Sequence, residues 1–338
     1  MKSSKKCLAL LMTLALIVPG TARADIVDDF GQALDQIQTD TARLSRWTAD
    51  QLRNAIPFNA TSGNVVPKQL KLLGFELGIE GMVSGTHMDI DGLKRIGTTI
   101  IDTNEIDAFD RLPFPLVLAH ANVGLPFGLM GGIRFGGIPK TVISDEDTRG
   151  EFKNTVLGFD VRKRILDEGA AKPFGLTVGL NFTRASGSID LRGGLDSIQT
   201  THRFGVTDYM TTLDAIGTAH TKWDVNSWGL QAVMNKQILF MNPYLGASVN
   251  RNFGTVSTSF TTDGTLEIAD GINPSYQNTA TRTGVGSADV NPWDLRAMLG
   301  IEFSVLPFLR LGIHGEYAGS KNIAGGLGLR AQFGGLKS

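Results

Sequence analysis

The chain of 338 residues contains 41 glycines and one cysteine, and its 32 basic and 33 acidic residues give a formal net charge of −1. The absence of a basic surplus argues against a nucleic-acid partner, and the single cysteine excludes a disulfide framework and cysteine-based zinc sites. The mean hydropathy of +0.01 is too low for a bundle of transmembrane helices and too high for a disordered chain. A glycine-rich, moderately apolar protein remains.

Residues 1–24 have the three parts of an export signal. Lys2, Lys5 and Lys6 form a positively charged start. The apolar run 7–18 that follows is shorter than the ~20 residues that a membrane-spanning helix needs. Ala22-Arg23-Ala24 supplies a small-x-small cleavage pattern. We therefore expect a signal peptide that is cleaved after Ala24.

Residues 25–66 form a second unit, an amphipathic helix. Apolar residues recur at three-, four- or seven-residue steps, which is the period of a helix with one apolar stripe, and Pro57 is expected to end the helix. The stripe consists of Ile26, Phe30, Leu34, Ile37, Leu44, Trp47, Leu52 and Ile56. The helix could dock on a core, plug a barrel mouth or serve as an interaction arm, and the pattern alone does not choose among these.

Residues 67–338 form a third unit, in which apolar and polar residues alternate with the period of a β-strand. Leu176, Val178 and Leu180, for example, alternate with threonine, glycine and asparagine. The pattern predicts about ten strands, within a range of eight to fourteen. They are expected near 71–83, 113–124, 127–138, 152–165, 173–184, 219–235, 243–258, 292–305, 308–319 and 321–333.

Two all-β folds explain such alternation, a soluble sandwich and a transmembrane barrel. The segments of about 9–13 residues suit tilted membrane-spanning strands better than soluble ones. Tight turns, such as the one at Leu306-Pro307, alternate with long polar loops predicted at 84–111, 138–151, 185–219 and 254–290. Aromatic residues such as Phe308 and Trp293 lie near strand ends, where interfacial girdles are found. We therefore predict an antiparallel transmembrane β-barrel with both termini on the periplasmic side.

The polar face of these strands, which would line the lumen, carries charges of both signs. Opposite charges facing each other in a narrow barrel would form ion pairs and close most of the bore, which argues against a wide diffusion pore. The predicted lumen-lining residues are Glu76, Glu80, Arg134, Asp160, Arg162, Arg164, Asp294, Arg296, Glu302, Arg310, His314, Glu316 and Arg330. Inward positions Phe114, Leu116, Leu118 and Met130 form a candidate apolar pocket for a solute, or else pack on the helix.

The sequence shows no hydrolase, metalloprotease or nucleotide-binding motif. His314 and Glu316 share a face, but we assign them to a packed polar interior rather than to catalysis. Asp89-Ile90-Asp91-Gly92 resembles the start of a calcium loop without its other ligands, so a plain turn is favoured. We therefore predict no enzymatic activity, no metal site and no cofactor.

The last strand ends in Gly328-Leu329-Arg330-Ala331-Gln332-Phe333, and Leu-Pro-Phe recurs at 112–114, 125–127 and 306–308. With the export signal and the alternating strands, the chain resembles a bacterial outer-membrane β-barrel of the porin-like class. Its N-terminal segment is similar to the plug of the long-chain fatty-acid transporter group. This resemblance implies a Gram-negative outer membrane, with outer-membrane lipid and the assembly machinery as partners. It also implies a plugged channel or transporter for small or hydrophobic solutes. The alternative is a structural or surface-interaction barrel.

Overall fold

The computed structural model describes residues 25–63, 70–96, 111–145, 148–168, 172–204, 207–269, 276–319 and 321–334. The predicted signal peptide lies outside these ranges. The helices are α1 (Asp25–Thr61) and α2 (Ile90–Lys94), with a short 3-10 turn at Pro126–Gly128. The strands are β1 (Phe75–His87), β2 (Arg111–Gly124), β3 (Leu129–Asp145), β4 (Thr148–Leu166), β5 (Gly175–Phe204), β6 (Thr207–Asn235), β7 (Met241–Ala269), β8 (Tyr276–Asp289), β9 (Trp293–Leu306), β10 (Leu309–Ala318) and β11 (Asn322–Phe333).

The strands form a closed antiparallel barrel. Each strand from β1 to β7 pairs with the next, β7 pairs with β9, and β11 returns to β1. β8 pairs with residues 255–268 of β7, and β9 pairs with residues 241–251 of the same strand. β8 and β9 therefore occupy one strand position of the barrel, which is interrupted at 290–292. The predicted antiparallel barrel of about ten strands is confirmed.

The polarity of the barrel is the reverse of that of a soluble protein. Leu180 and Leu299 expose 61% and 63% of their surface on the outside, whereas Glu76 and Glu302 are buried on the inside. Phe75 stacks on Phe333 at 4.8 Å at one end of this apolar band. Because an apolar outer wall around a polar interior is stable only in lipid, the barrel spans a membrane. The fold is that of an outer-membrane β-barrel.

The two ends of the barrel differ. At the turn end, the strands are joined by the short connections 125–128, 236–240 and 307–308. At the opposite end, which we call the outer end, β5 and β6 stay paired up to Phe204 and Thr207, and β6 and β7 up to Met210 and Ala269. The predicted loops at 185–219 and 254–290 are therefore wrong, since most of their residues belong to paired strands. These segments are rich in β-branched threonine, which favours strands, but glycine, serine and threonine interrupt their apolar residues, so alternation did not reveal them.

Helix α1 runs inside the barrel, from the outer end towards the middle. Ser45 donates a hydrogen bond to the Gly284 carbonyl at 2.9 Å, and Arg296, nearer the turn end, reaches Ser62 at 3.3 Å. Of the three possibilities left open by the sequence, the helix is therefore a plug. Its first residue lies towards the outer end, so the expectation that both termini lie at the turn end is wrong for the helix.

Pro57 does not end α1 as predicted, because the helix continues to Thr61. A proline inside a helix removes one N–H and leaves the carbonyl four residues earlier without its usual partner. Here the freed Arg53 carbonyl accepts a hydrogen bond from the Asn291 backbone N–H of the barrel wall at 3.4 Å. The wall thus replaces the missing helical bond.

Among the described residues, no helix has both the length and the apolar character needed to cross a membrane.

Candidate functional site

The candidate site is the contact between α1 and the inner wall of the barrel. The last carbonyls of a helix have no partner within it and carry a partial negative charge. Arg296 donates hydrogen bonds to the Pro57 carbonyl at 3.3 Å and to Thr61, and Arg134 reaches the Ser62 carbonyl at 3.5 Å. Two arginines of the wall therefore meet the negative end of the helix.

Arg296 is itself held by wall carboxylates. Its guanidinium lies 2.5 Å from Asp294 and 3.5 Å from Glu316, and it stacks 4.6 Å from the ring centroid of Phe58. Glu316 also accepts a hydrogen bond from the Gly63 N–H at 2.7 Å, just beyond the helix. We call Arg134, Asp294, Arg296 and Glu316 the latch. Such charge-assisted bonds are strong when every partner is in place.

An amide pair extends this anchoring to a second part of the wall. Asn59, the third residue from the end of α1, donates to the Ser84 hydroxyl at 2.9 Å and to the Phe114 carbonyl at 3.1 Å. Its own side-chain oxygen accepts from Asn154 at 3.5 Å. Asn59 and Ser84 were not predicted, because a helical asparagine and a strand serine carry no signal until the two elements face each other.

Between the latch and the outer end, the lumen wall is apolar. Side chains of α1 pack there against wall residues of β2, β6, β7 and β8 and of the segment that follows β8. The cluster consists of Ala49, Leu52, Ala55 and Ile56 of the helix with Phe114, Trp223, Val225, Val256, Ala288 and Val290 of the wall. We call this part of the lumen the apolar chamber. Its Trp223, Val256 and Ala288 were not predicted, because they lie in the segments interpreted as strand ends or loops.

The predicted apolar pocket does not stand open. Phe114 belongs to the chamber, and Leu116 and Leu118 pack with Phe58 and Ala60 of the helix. Met130 packs with Leu70 near the turn end. The helix residues that fill the site are 49–60, whereas Leu44 of the predicted stripe is outside both clusters and the side chains of Phe30, Leu34 and Ile37 lie outside the described residues.

The predicted lumen charges lie inside the barrel. Arg164 and Asp294 are half-buried. The buried ones are Glu76, Glu80, Arg134, Asp160, Arg162, Arg296, Glu302, Arg310, His314, Glu316 and Arg330. Besides the latch there is a turn-end cluster, in which Arg330 pairs with Glu302 and lies 3.6 Å from Glu76.

Two further pairs lie inside the barrel. His314 Nε2 is 3.1 Å from Glu80 Oε1, and Arg162 is 2.9 Å from Asp160. His314 of β10 therefore reaches across β11 to a carboxylate of β1 and does not pair with the Glu316 that shares its face. Paired charges of this kind fill part of the bore.

Asp89 caps a short helix. Its carboxylate accepts a hydrogen bond from the Gly92 N–H at 2.8 Å, so the turn favoured from the sequence continues into the short helix α2. In the part of the chain that the structure describes, no three acidic, histidine or cysteine side chains group as metal ligands would. The backbone N–H of Asp89 also donates to Gln51 of α1 at 2.9 Å, so this turn contacts the plug.

Comparison with known proteins gives a family but no activity. A family of unknown function (DUF6588) matches residues 103–332. No curated protein sequence matches the chain.

Three solved barrels are similar at low scores. The translocator domain of the autotransporter NalP from Neisseria meningitidis has 13% identity and a TM-score of 0.30, covering 92% of this chain and 97% of that one. The Escherichia coli protease OmpT has 7% identity and a TM-score of 0.36, covering 80% and 100%. A Pseudomonas aeruginosa FadL homologue has 10% identity and a TM-score of 0.26, covering 87% and 97%. Likeness at these scores does not bear on function.

Proposed function

We propose that this chain, which belongs to the DUF6588 family of unknown function, forms a plugged outer-membrane channel for small apolar solutes. The observation that carries the proposal is the apolar chamber inside the barrel. Barrel interiors are ordinarily polar, yet Trp223, Val225 and Val256 are almost fully buried against α1. If α1 moved, its place would be a dry, apolar cavity, which is what an apolar solute requires.

The two kinds of contact on α1 suit a plug that moves. The chamber gives non-directional packing, whereas the latch holds the end of the helix by a few directional bonds to Arg134, Arg296 and Glu316. Directional bonds are lost over a small displacement, while apolar packing tolerates sliding. Opening therefore needs the latch to break first.

A reversible tether between α1 and the wall tests this. Gln51 and Asp89 touch at the outer end, where Asp89 is exposed, and the sole cysteine of the chain, Cys7, falls within the predicted signal peptide. In a Gln51→Cys/Asp89→Cys variant, a short bifunctional methanethiosulfonate reagent, which forms a disulfide with each cysteine thiol and releases methanesulfinate, should lower uptake of a fluorescent apolar probe into proteoliposomes at least fivefold. Reduction should restore uptake.

The opposite experiment weakens the latch so that the helix is released more easily. Arg134→Gln/Arg296→Gln should raise uptake above that of the parent protein, whereas Arg310→Gln, a lumen arginine that bonds Gln332 in the turn-end cluster, should leave it unchanged. If tethered, freed and parent proteins all take up the probe equally, α1 is a permanent core element, and the channel proposal fails.

The extension at the outer end favours a second candidate, a surface-interaction barrel. β5 and β6 remain paired over residues 175–204 and 207–235, well beyond the apolar band. In that case, deleting the paired tip 195–216 should abolish binding to an external partner while the barrel stays folded. A full-length chain that transports but binds no surface partner would reject this alternative.

We expect a Gram-negative protein, cleavage after Ala24, recognition of the last strand by the outer-membrane assembly machinery, and no enzymatic activity. Mass spectrometry of the purified protein checks the first residue, which should be Asp25. An intact peptide spanning Lys2 to Ala24 would contradict the cleavage.

A further inference from the structure

A polar groove lies at the outer end, between one flank of α1 and strands β6, β7 and β8. Its volume is about 1080 Å³, and Arg43, Arg46, His220 and Lys222 line it together with the serines Ser257, Ser259 and Ser287. Cations combined with hydroxyl donors are the groups that proteins use to bind phosphate oxygens. The channel proposal does not involve this groove, because it lies outside the apolar chamber.

The side chains that line the groove carry a net positive charge. Arg43 lies 3.8 Å from Asp40, and His220 pairs with Asp190. Arg46 and Lys222 are exposed at the groove, and no ion pair with a carboxylate of the described residues joins them. These two residues supply the surplus charge.

The height of the groove relative to the membrane follows from the strands. Lys222 lies six residues from Trp228 along β6, and Ser287 lies six residues from Trp293 on the β8–β9 edge. Both tryptophans are exposed at the upper edge of the apolar band. With ~3.3 Å per residue and a tilt of about 40°, the groove begins about 15 Å above that edge. Head groups and inner sugars of a glycolipid occupy this layer.

Exposed cations continue between the groove and the band. Arg251 stacks 5.1 Å from the Trp293 ring centroid on the outer face. Arg111 and Lys153 are exposed on other strands near their outer ends. Below them, Leu230 and Leu295 offer apolar surface. A molecule with phosphates above and acyl chains below can thus contact groove, cations and band at once, whereas a free phosphate reaches the groove alone.

We propose that this groove binds the phosphorylated head group of the anionic glycolipid of the outer leaflet. The guanidinium of Arg46 gives a fork that matches two phosphate oxygens, and Lys222 adds a point charge across the groove. The acyl chains of the same lipid lie on the apolar band beneath. The bound lipid then contacts α1 and strands β6, β7 and β8 at the same time and stabilises their packing.

The test uses the purified full-length protein in detergent with added lipopolysaccharide, dephosphorylated lipopolysaccharide or inorganic phosphate, and binding is measured by native mass spectrometry. Arg46→Glu/Lys222→Glu should lower lipopolysaccharide affinity at least tenfold. Lys163→Glu, which reverses an exposed charge near the turn end, should leave it unchanged. Dephosphorylated lipid should bind the parent protein as weakly as the intact lipid binds the charge-reversed variant.

The outcome is decided among folded proteins, recognised by the heat-dependent gel mobility of an intact barrel. Should the charge-reversed pair fail to fold, Arg46→Gln/Lys222→Gln replaces it and should lose at least threefold in affinity. Unchanged affinity in either folded variant overturns the proposal. Saturation by inorganic phosphate without competition from the lipid also overturns it and leaves a site for free anions.

Discussion

Single side chains of the inner wall act through the partners that they meet across the lumen, and Arg296 meets the last turn of α1. The alternation placed Glu302, Glu316 and Arg296 on one face, and the structure buries all three. That Arg296 would meet the end of α1 could not be foreseen, because the contact joins residues that are 235 or more positions apart in the chain. Strand period fixes a direction, whereas a partner depends on how two distant elements meet.

The outward leucines give a direct test of the wall. Leu180→Arg and Leu299→Arg should each destabilise the folded barrel by ~2–4 kcal/mol, because a charge near the bilayer midplane loses its hydration. Unfolding in urea from lipid vesicles measures the change.

The control for these substitutions lies on the inner face. Ser304→Thr and Gly328→Ala should cost little, since Ser304 is half-buried and a Cβ at Gly328 comes no closer than 3.7 Å to Glu80. Gly179, also inward, is unsuitable because a Cβ there would lie 2.9 Å from Arg162. Equal losses on both faces would mean that the wall does not contact lipid.

Removal of Arg296 alone should be costly. Arg296→Met leaves Asp294 and Glu316 without their cation, and breaking a buried pair costs about 3–5 kcal/mol. The double variant Arg296→Met/Glu316→Met should be more stable than the single one, since it also removes one stranded charge. Urea unfolding compares them, and a double variant less stable than Arg296→Met would show that Glu316 holds Gly63 independently of Arg296.

At the scale of elements, the strands of the membrane wall were predictable, whereas the fit of α1 on β8 was not. β8 carries Gly284 and Gly286 on the face under the helix. A Cβ at Gly284 would lie 2.1 Å from the Ala42 nitrogen, and one at Gly286 would lie 2.2 Å from the Arg46 nitrogen. The two glycines thus allow the helix backbone to approach the sheet. This role was not predicted, because residues 254–290 were interpreted as a loop.

This close approach predicts the effect of one substitution. Gly284→Val should push α1 away from β8, because the added atoms collide with helix backbone rather than with a flexible side chain. Trypsin should then cut the folded protein at Arg43 or Arg46 at least tenfold faster. Gly217→Val is the matched control, since a Cβ there meets nothing within 4 Å. An unchanged cleavage rate in Gly284→Val would mean that the helix does not rest on this strand.

At the scale of the whole molecule, the chain passes through its own barrel. α1 starts towards the outer end, ends at the latch, and is followed by β1, which begins at the turn end beside Phe333. The sequence supports the barrel and the helix separately. Their relative direction depends on which end of α1 meets the latch arginines, and an amphipathic stripe is the same in both directions.

That direction predicts on which side of the membrane residue 25 lies. A short epitope tag placed before Asp25 should bind antibody on intact cells, because α1 rises from the latch towards the outer end. The same tag after Ser338 should bind only once the outer membrane is permeabilised, since β11 ends at the turn end, where Phe75 pairs with Phe333. Both tagged proteins must keep the heat-dependent mobility of a folded barrel. If the first tag is also hidden until permeabilisation, α1 enters the lumen from the periplasmic side, and the latch would then have to hold the opposite end of the helix.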